Sequence, residues 1–288
     1  MKLEKASYEI WDEKIPLHDH IERCGRICYA SEATGGEKAI AFCDRLIRSG
    51  HLSVLEHGTI YLSMNSETEE SLKYDKNPYS KYYDNDEFEI GQACISTSLR
   101  VLIENGWMDD LQYLCEPTEY HSRRITVKWN VNRAIANEIV RHRKFSFSQQ
   151  STRYCNFSKD RFNNELTFII PSWIDKNEIV KEFGGLNGLS YHKDIDKFQS
   201  SELANESNFL QSIAFAESNY LTLLKNGLKP EQARDVLPLA LKTELVMTGF
   251  SHDWYAFFKL RCDNHAHPDI RQLAIELRDD FYKKGYLV

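Results

Sequence analysis

The sequence predicts a mixed α/β fold, because stretches with strand character alternate along the chain with amphipathic helices. In "RITVKWNV", Ile125, Val127, Trp129 and Val131 alternate with polar residues, which is the period of a half-buried strand. Directly after it, "NRAIANEIVRHR" places apolar residues four apart, which predicts a helix capped by Asn132. With 288 residues, the chain is long enough to bury a sizeable core in one domain or in two small ones.

The first part of the chain contains a helix, a strand and a polar segment. "EKAIAFCDRLIRSGH" predicts an amphipathic helix with Ala39, Cys43 and Leu46 on one face and Gly50 as its stop signal. "GTIYLSM" is expected to be extended. Between about 65 and 123 the chain is polar and acidic, and we expect an inserted segment there. Within it, "YDKNPYSKYYDNDEFE" is predicted to be a loop and "SLRVLIENG" a short helix.

The second half is predicted to be mostly helical after one more strand. "LTFIIPSW" is expected to be a buried strand ended by Pro171, followed by a polar stretch that is helical in pieces, with "GGLNG" as a loop. We expect the last third to be helical, with Pro230 and Pro268 in first helical turns and Asp253 near another helix start. Gly285 is expected to end the final helix.

Composition and charge restrict the function classes. A formal net charge of -7 argues against a protein that coats nucleic acid, so we expect no nucleic-acid partner. No apolar run approaches the roughly 20 residues that a membrane span needs, and the start lacks the apolar stretch of a signal peptide. The seven cysteines are odd in number and scattered, which suits reduced thiols. We therefore expect a cytoplasmic protein with no membrane partner.

Metal ligation has little support in the sequence. His51, Glu56 and His57 are close together in "GHLSVLEH", but the gap between the two histidines suits neither adjacent helical turns nor a zinc helix. Cys24 and Cys28 share a helical face, yet no second pair completes a zinc site. No metal site is therefore predicted.

The stretch "RHRKFSFSQQSTRY", residues 141 to 154, combines arginine and hydroxyl side chains without a carboxylate. Arg141, Arg143 and Arg153 offer fork-shaped donors that suit phosphate, and four hydroxyls add neutral donors around the charge. Because this block begins at a helix C-terminus, any anion must be bound by side chains. The alternative is a solvated basic face whose partners lie in the acidic insertion.

Two further arginines stand in mostly apolar helical surroundings. Arg234 lies in "EQARDVLP" and Arg261 in "FFKLRCDNHAH". An arginine in such a setting needs a partner or a ligand, and Asp235 and Asp263 are the alternative partners.

Nucleophilic catalysis and phosphate-loop chemistry are not indicated. Ser151 is not surrounded by a G-x-S-x-G elbow, and Cys155 has no base near it in the sequence. No P-loop is present, so a nucleotide kinase has little support.

Together these blocks resemble the flavin-dependent thymidylate synthases. The family signature is R-H-R, seven residues and then Ser, which here is Arg141, His142, Arg143 and Ser151. "GHLSVLEH", "ARDVLP" and "LRCDNHAH" agree in order with further family blocks. The resemblance covers most of 20–62, 124–160 and 228–280 and omits the insertion and much of 175–215. It implies one domain over residues 1–288, built as a twisted, mainly antiparallel sheet flanked by helices, with the insertion at about 65–123.

The resemblance also implies a reaction and an assembly. Members of the family transfer a methylene group from methylenetetrahydrofolate to C5 of dUMP, with NADPH reducing FAD and the reduced FAD supplying hydride. Their flavin sites lie between the subunits of a homotetramer. The expected partners are therefore the small molecules dUMP, folate and NADPH, together with other copies of this chain.

Matched positions carry roles that the resemblance implies. The flavin is expected to contact His51, Ser53, Arg141, His142, Arg143, Gln149 and His252. The nucleotide is expected to contact Glu138, Arg141, Gln149, Gln150, Ser151, Thr152, Arg153, Arg234 and Arg261. Arg261 is expected to be catalytic, facing the uracil ring and favouring its N3-ionised form without transferring a proton itself.

Several positions depart from the family pattern. Glu138 stands where many members have Gln, and Gln149 stands where many have Glu. Phe250 replaces an Asn that would contact the flavin ring, and His252 and Ala256 lack the usual side chains. His267 replaces Gln. These departures leave open a flavin enzyme that makes another 5-substituted deoxyuridylate, and a non-catalytic nucleotide-binding or nucleic-acid-binding module remains the second alternative.

Overall fold

The computed structural model describes residues 1–11, 14–85 and 91–287. The strands in these ranges are β1 (Lys2–Glu4), β2 (Ser7–Trp11), β3 (Thr59–Asn65), β4 (Lys81–Asn85), β5 (Gln92–Ser98), β6 (Arg124–Asn132), β7 (Ser146–Gln149), β8 (Thr167–Ile169) and β9 (Lys242–Phe250). The α-helices are α1 (Leu17–Arg26), α2 (Glu37–Arg48), α3 (Glu69–Asp75), α4 (Leu99–Asn105), α5 (Arg133–Ile139), α6 (Lys176–Phe183), α7 (Tyr191–Ser200), α8 (Ala204–Lys225), α9 (Pro230–Ala233), α10 (Ser251–Arg261) and α11 (Pro268–Lys283). The predicted α/β class, with mainly antiparallel sheets flanked by helices, is confirmed.

An antiparallel sheet in the order β2-β6-β9-β7 forms the centre of the molecule. The predicted alternation in β6 is confirmed, because its apolar side chains belong to the core cluster that α10 and α11 cover. Trp129 packs on Phe257 with ring centres 5.8 Å apart. The predicted cap of α5 is also confirmed, since the Asn132 side chain accepts a hydrogen bond from the backbone N–H of Ile135 at 2.8 Å. The end of β6 and the start of α5 are thereby fixed relative to the core.

β9 shows that the prediction of an all-helical last third is wrong. Leu245 and Met247 pack in the core cluster beneath α10 and α11, whereas Val246 packs with Cys24 of α1 on the other face. A strand that is buried on both faces lacks the apolar-polar alternation that marks a half-buried strand. Its apolar run therefore could not be distinguished from a buried helix.

The predicted helix boundaries in the same region are confirmed. Pro230 and Pro268 are the first residues of α9 and α11, and Asp253 lies in the first turn of α10. Gly285 follows α11 with φ 69°, and Gly50 follows α2 with φ 72°. Both glycines adopt the left-handed conformation that commonly ends a helix, where a side chain would be strained.

Residues 59–85 and 91–113 contain a second antiparallel sheet, in the order β3-β5-β4, and are here called the small-sheet subdomain. The predicted extended stretch is β3 and the predicted short helix is α4. The loop predicted for 74–89 is wrong at 74–75, which end α3, and at 81–85, which form β4, whereas 86–89 lie outside the described residues. β4 is polar, and pairing with β5 decides its conformation where local sequence does not. That 65–123 is an insertion stays a prediction.

A third layer joins β1 and β8, which pair in parallel, to α6, α7 and α8. The predicted strand in "LTFIIPSW" is β8, the polar stretch after it is helical in pieces, and "GGLNG" is the connection between α6 and α7. Within the described ranges, no helix combines the length and the apolar character needed to cross a membrane.

Candidate functional site

The arginine and hydroxyl block contains β7, which the sequence did not reveal. Two of its four hydroxyls are buried and bonded internally. Ser146 Oγ accepts from Arg124 Nη2 at 3.3 Å, and Ser148 Oγ lies 3.1 Å from His57 Nε2. Burial holds the pKa of His57 well below its usual range, so this histidine is neutral. The expectation that all four hydroxyls surround an anion is therefore wrong for these two serines.

The turn after β7 is fastened to the segment that follows α1. The backbone N–H of Ser151 donates to the carbonyl of Cys28 at 3.0 Å, and Ser151 Oγ accepts from the backbone N–H of Arg153 at 3.2 Å. Cys155 is fully buried beneath this turn, and burial raises the pKa of its thiol. Ser151 Oγ thus bonds within the turn, and burial disfavours the thiolate form of Cys155.

The glutamines of the turn face β9. Gln149 Nε2 donates to Thr243 Oγ1 at 3.3 Å. The backbone N–H of Gln150 donates to the Glu244 carbonyl at 2.8 Å, and Gln150 Oε1 accepts from the Glu244 N–H at 3.3 Å. Thr152 is 6% exposed. Gln150 thus continues the pairing of β7 with β9 into the turn.

Arg153 lies beside α9, the helix that precedes Arg234. The exposed Arg153 guanidinium lies 4.0 Å from Glu231, which stands three residues before Arg234. Arg234 is half-buried in the 3-10 turn Arg234–Val236. Among the described residues it has no carboxylate within ion-pair distance, so the alternative pairing with Asp235 is not found.

Arg133 is a functional candidate that the sequence reasoning missed. Its Nη1 atom is buried without a hydrogen-bond partner among the described residues. Burial, and then the charge of Arg234, lower the pKa of Arg133. Two neighbouring guanidinium groups without a carboxylate repel each other unless an anion joins them. The position of Arg133 in the sequence did indicate a functional role. Arg133 is the first residue of α5, where the helix dipole disfavours a cation.

Arg261 lies in a three-residue cluster with Glu138 and His142. Arg261 Nη1 donates to Glu138 Oε2 at 2.6 Å, Nη2 donates to the Glu138 carbonyl at 2.9 Å, and Nε donates to His142 Nε2 at 2.9 Å. Because His142 accepts this bond, its imidazole is neutral. Burial, and then the charge of Arg261, lower the pKa of His142 to about 4.

This cluster changes the expectation for Arg261. The alternative partner Asp263 is bonded instead to His265, 2.7 Å away. Arg261 is therefore not a cation with few protein partners, and its charge is shared with Glu138. The cause is that α5 and the end of α10 meet on the same side of the central sheet, which a separation of 123 residues hides in the sequence.

The remaining positions assigned to the flavin are exposed. Their side chains form no hydrogen bond or ion pair within the ranges that the structure describes: His51, Ser53, Arg141, Arg143 and His252. Ala256 is also exposed, whereas Phe250 is only 7% exposed. These side chains are thus available to a ligand or to another subunit.

The basic-face alternative has no support among the described contacts. Arg141 and Arg143 form no ion pair with the small-sheet subdomain in the described ranges. Three acidic residues of that region, Asp86, Glu87 and Glu89, lie outside those ranges. Among the described residues, no group of three or more acidic, histidine or cysteine side chains could hold a metal ion.

The fold and the site define an α/β protein in which Arg133 and Arg234 lie near each other without an ion-paired carboxylate among the described residues, while Arg261 at the end of α10 is paired with Glu138. Over residues 116–284 the chain matches the model of a family described as thymidylate synthase complementing protein. The chain belongs to this family.

Part of the chain is similar in sequence to curated relatives. It is 31% identical over 146 residues to a flavin-dependent thymidylate synthase of Corynebacterium glutamicum, covering 51% of this chain and 52% of the relative. It is 32% identical over 147 residues to that of Geobacter sulfurreducens, with 51% of each covered, and 33% identical over 146 residues to that of Corynebacterium efficiens, with 50% and 52% covered. The chain spans about half the length of the curated relatives it matches.

Proposed function

We propose that this protein is a flavin-dependent thymidylate synthase that converts dUMP to dTMP. The observation that carries the proposal is the neighbouring pair Arg133 and Arg234, in which Arg133 Nη1 is buried without a hydrogen-bond partner among the described residues. Arg153 lies beside α9, the helix that precedes Arg234. Guanidinium groups bind phosphate oxygens in pairs of parallel hydrogen bonds. The monophosphate of dUMP supplies the anion that this end of the site lacks.

We assign Arg261 to the uracil ring. When C5 attacks an electrophile, negative charge develops on the ring, and a guanidinium held in place beforehand stabilises that charge. Glu138 and His142 hold the guanidinium in place through three hydrogen bonds. Glu138 is 33% exposed at its side chain, and we assign it a contact with the same ligand.

The exposed residues fit a flavin at its phosphates better than at its ring. Arg141 and Arg143 form no ion pair within the described chain and suit the diphosphate of FAD, beside His51, Ser53 and His252. When bound, FAD reduced by NADPH would supply hydride, and methylenetetrahydrofolate would supply the carbon. The buried Phe250 offers no hydrogen bond to the ring, which keeps the alternative of another 5-substituted product.

The wide exposure of these side chains also supports a homotetramer in which a second subunit completes each flavin site. Cysteines that are all free support the proposed cytoplasmic location. Light scattering of the flavin-loaded protein tests the assembly, and an active flavin-loaded monomer would contradict it.

The visible absorption spectrum of the purified protein is the first experiment. We expect a non-covalently bound flavin, or its uptake from added FAD, and then formation of dTMP from dUMP, methylenetetrahydrofolate and NADPH. A protein that takes up no flavin but still binds dUMP would indicate the non-catalytic binding module. A flavin-loaded protein whose product differs in mass from dTMP would indicate another 5-substituted nucleotide.

A further inference from the structure

His57 is a fully buried histidine at the end of residues 51–57, here called the flavin segment. This segment carries His51 and Ser53, which are assigned to the flavin, and its last six residues form the 3-10 helix Leu52–His57. The exposed fraction of His57 is 0%, whereas His51 and Ser53 are exposed. The flavin segment thus presents two polar side chains to solvent and buries a third.

Both ring nitrogens of His57 contact hydroxyls of the central sheet. Nδ1 lies 2.7 Å from Thr248 Oγ1 on β9, and Nε2 lies 3.1 Å from Ser148 Oγ on β7. Thr248 and Ser148 are buried as well, so water does not compete for these hydrogen bonds. The imidazole therefore joins the flavin segment to two neighbouring strands.

The hydrogen-bonded network continues across the sheet to α1. Thr248 Oγ1 lies 2.8 Å from Thr126 Oγ1 on β6, and Thr126 Oγ1 lies 3.1 Å from His20 Nε2 on α1. Because burial keeps His57 neutral, one of its nitrogens donates and the other accepts, and each hydroxyl can do both. An apolar side chain at position 57 would leave Ser148 and Thr248 without this partner in the interior. The surroundings of His57 therefore suit a neutral group with one donor and one acceptor.

Ser148 places the contact with His57 close to residues 150–154, here called the nucleotide turn. β7 ends at Gln149, and the nucleotide turn carries Ser151 and Arg153, which are assigned to dUMP. Three residues separate Ser148 from Ser151, a span of at most about 10 Å at roughly 3.3–3.6 Å per residue. A shift of β7 against the flavin segment would thus reach the nucleotide turn with little chain in between to absorb it.

We propose that His57 is a positioning residue that, through Ser148, holds the flavin segment and the nucleotide turn at a fixed separation. This inference rests on the proposed function, because hydride transfer requires contact between the flavin and the nucleotide. Reacting atoms must approach to about 3–3.5 Å, and a misplacement of about 1 Å can cost about 10²-fold in rate. His57 is buried, so it acts through the backbone segments that carry the ligand-binding residues.

Amide substitutions separate the two contacts of His57. A glutamine amide reaches about as far as Nε2, whereas an asparagine amide reaches only as far as Nδ1. We therefore expect His57→Asn to lose the contact with Ser148 and to lower kcat for dTMP formation about 10²-fold, with little change in the KM for dUMP. His57→Gln should recover most of this loss.

Ser148→Ala removes the same contact from the other side and should lower kcat to a similar extent. If His57 acts through Ser148, the double variant His57→Asn/Ser148→Ala should be no slower than either single variant. Should His57→Asn not fold, Ser148→Ala, which introduces no larger side chain, carries the same test. All rates are compared at matched flavin occupancy.

Thr97→Val is the matched control for lost stability. Thr97 Oγ1 lies 2.8 Å from Ser80 Oγ, and both residues are buried in the small-sheet subdomain. Thr97→Val should lower the midpoint of urea unfolding as Ser148→Ala does, yet leave kcat unchanged.

The visible spectrum of bound FAD, recorded while dUMP is added to saturation, reports the contact of the two ligands without turnover. We expect dUMP to change this spectrum in the wild type, and to change it less in His57→Asn and Ser148→Ala.

Each outcome decides the proposal. Equal kcat of wild type, His57→Asn and Ser148→Ala overturns it, as does a double variant whose loss is the product of the two single losses. A loss of kcat that His57→Gln does not relieve, or that Thr97→Val reproduces, shows a role in stability alone and also overturns it. If the flavin-loaded wild type forms no dTMP, the proposed function fails, and an equal response of the flavin spectrum to dUMP in wild type and His57→Asn then overturns the role of His57 independently.

Discussion

Arg261→Lys tests the chemistry at the centre of the site. The guanidinium forms three hydrogen bonds at once, to Glu138 Oε2, to the Glu138 carbonyl and to His142 Nε2. A lysine ammonium is a point donor on a flexible stem and cannot reproduce this planar fork. We expect it to keep the contact with the carboxylate and to lose the other two.

The size of the effect follows from these contacts. The Arg261 side chain is 18% exposed and that of Glu138 is 33% exposed, so solvent weakens the cluster only in part. Hydrogen bonds to charged groups contribute about 1.5–3 kcal/mol each, and two lost bonds, discounted for solvent and local rearrangement, should lower the free energy of unfolding by about 2 kcal/mol. Loss of a preorganised donor beside a developing anion typically costs about 10²- to 10³-fold in kcat.

Two measurements check this reasoning. Urea unfolding gives the stability, and steady-state formation of dTMP, with flavin occupancy matched, gives kcat and KM. Arg271→Lys is the control, because Arg271 bonds only neutral oxygens of Asn264 and stands on the neighbouring α11. If Arg261→Lys raises only KM, or if it destabilises the protein no more than the control does, the assigned role of Arg261 is wrong.

Further predictions concern the nucleotide turn and His142. Arg153→Lys should raise the KM for dUMP about tenfold with little change in kcat, because it loses a bidentate phosphate contact; a drop in kcat alone would contradict this. Ser151→Ala should keep measurable turnover with weaker nucleotide binding, and a trapped covalent adduct on Ser151 would reverse that assignment. A folded Cys155→Ala should stay active, whereas a folded inactive variant would favour a cysteine nucleophile. By NMR, His142 should titrate near pH 4, and its lowered pKa means that stability falls as pH decreases from 6.5 towards 4, since the unfolded chain takes up the proton first; a midpoint near 6.5 would contradict the contact with Arg261.

Local sequence predicted the helices and strands whose two faces differ in burial. β6 alternates because one face meets α10 and α11, and α5 follows it with its cap in place. β9 was missed because both of its faces are buried, and β4 was missed because only its pairing with β5 makes it extended. Burial on both sides and strand pairing are properties of the assembled molecule, so neither leaves a periodic pattern in the residues themselves.

The functional site, like the fold, could be predicted from the sequence only in part. The Arg141-to-Ser151 block was identified from its spacing, and its arginines are exposed as a binding role requires. The pairing of Arg261 with Glu138 was not predictable, because the nearer Asp263 was an equally good partner until the fold brought α5 to the end of α10. Arg133 was overlooked because a single arginine at a helix start carries no motif, although the helix dipole makes it an unfavourable choice there.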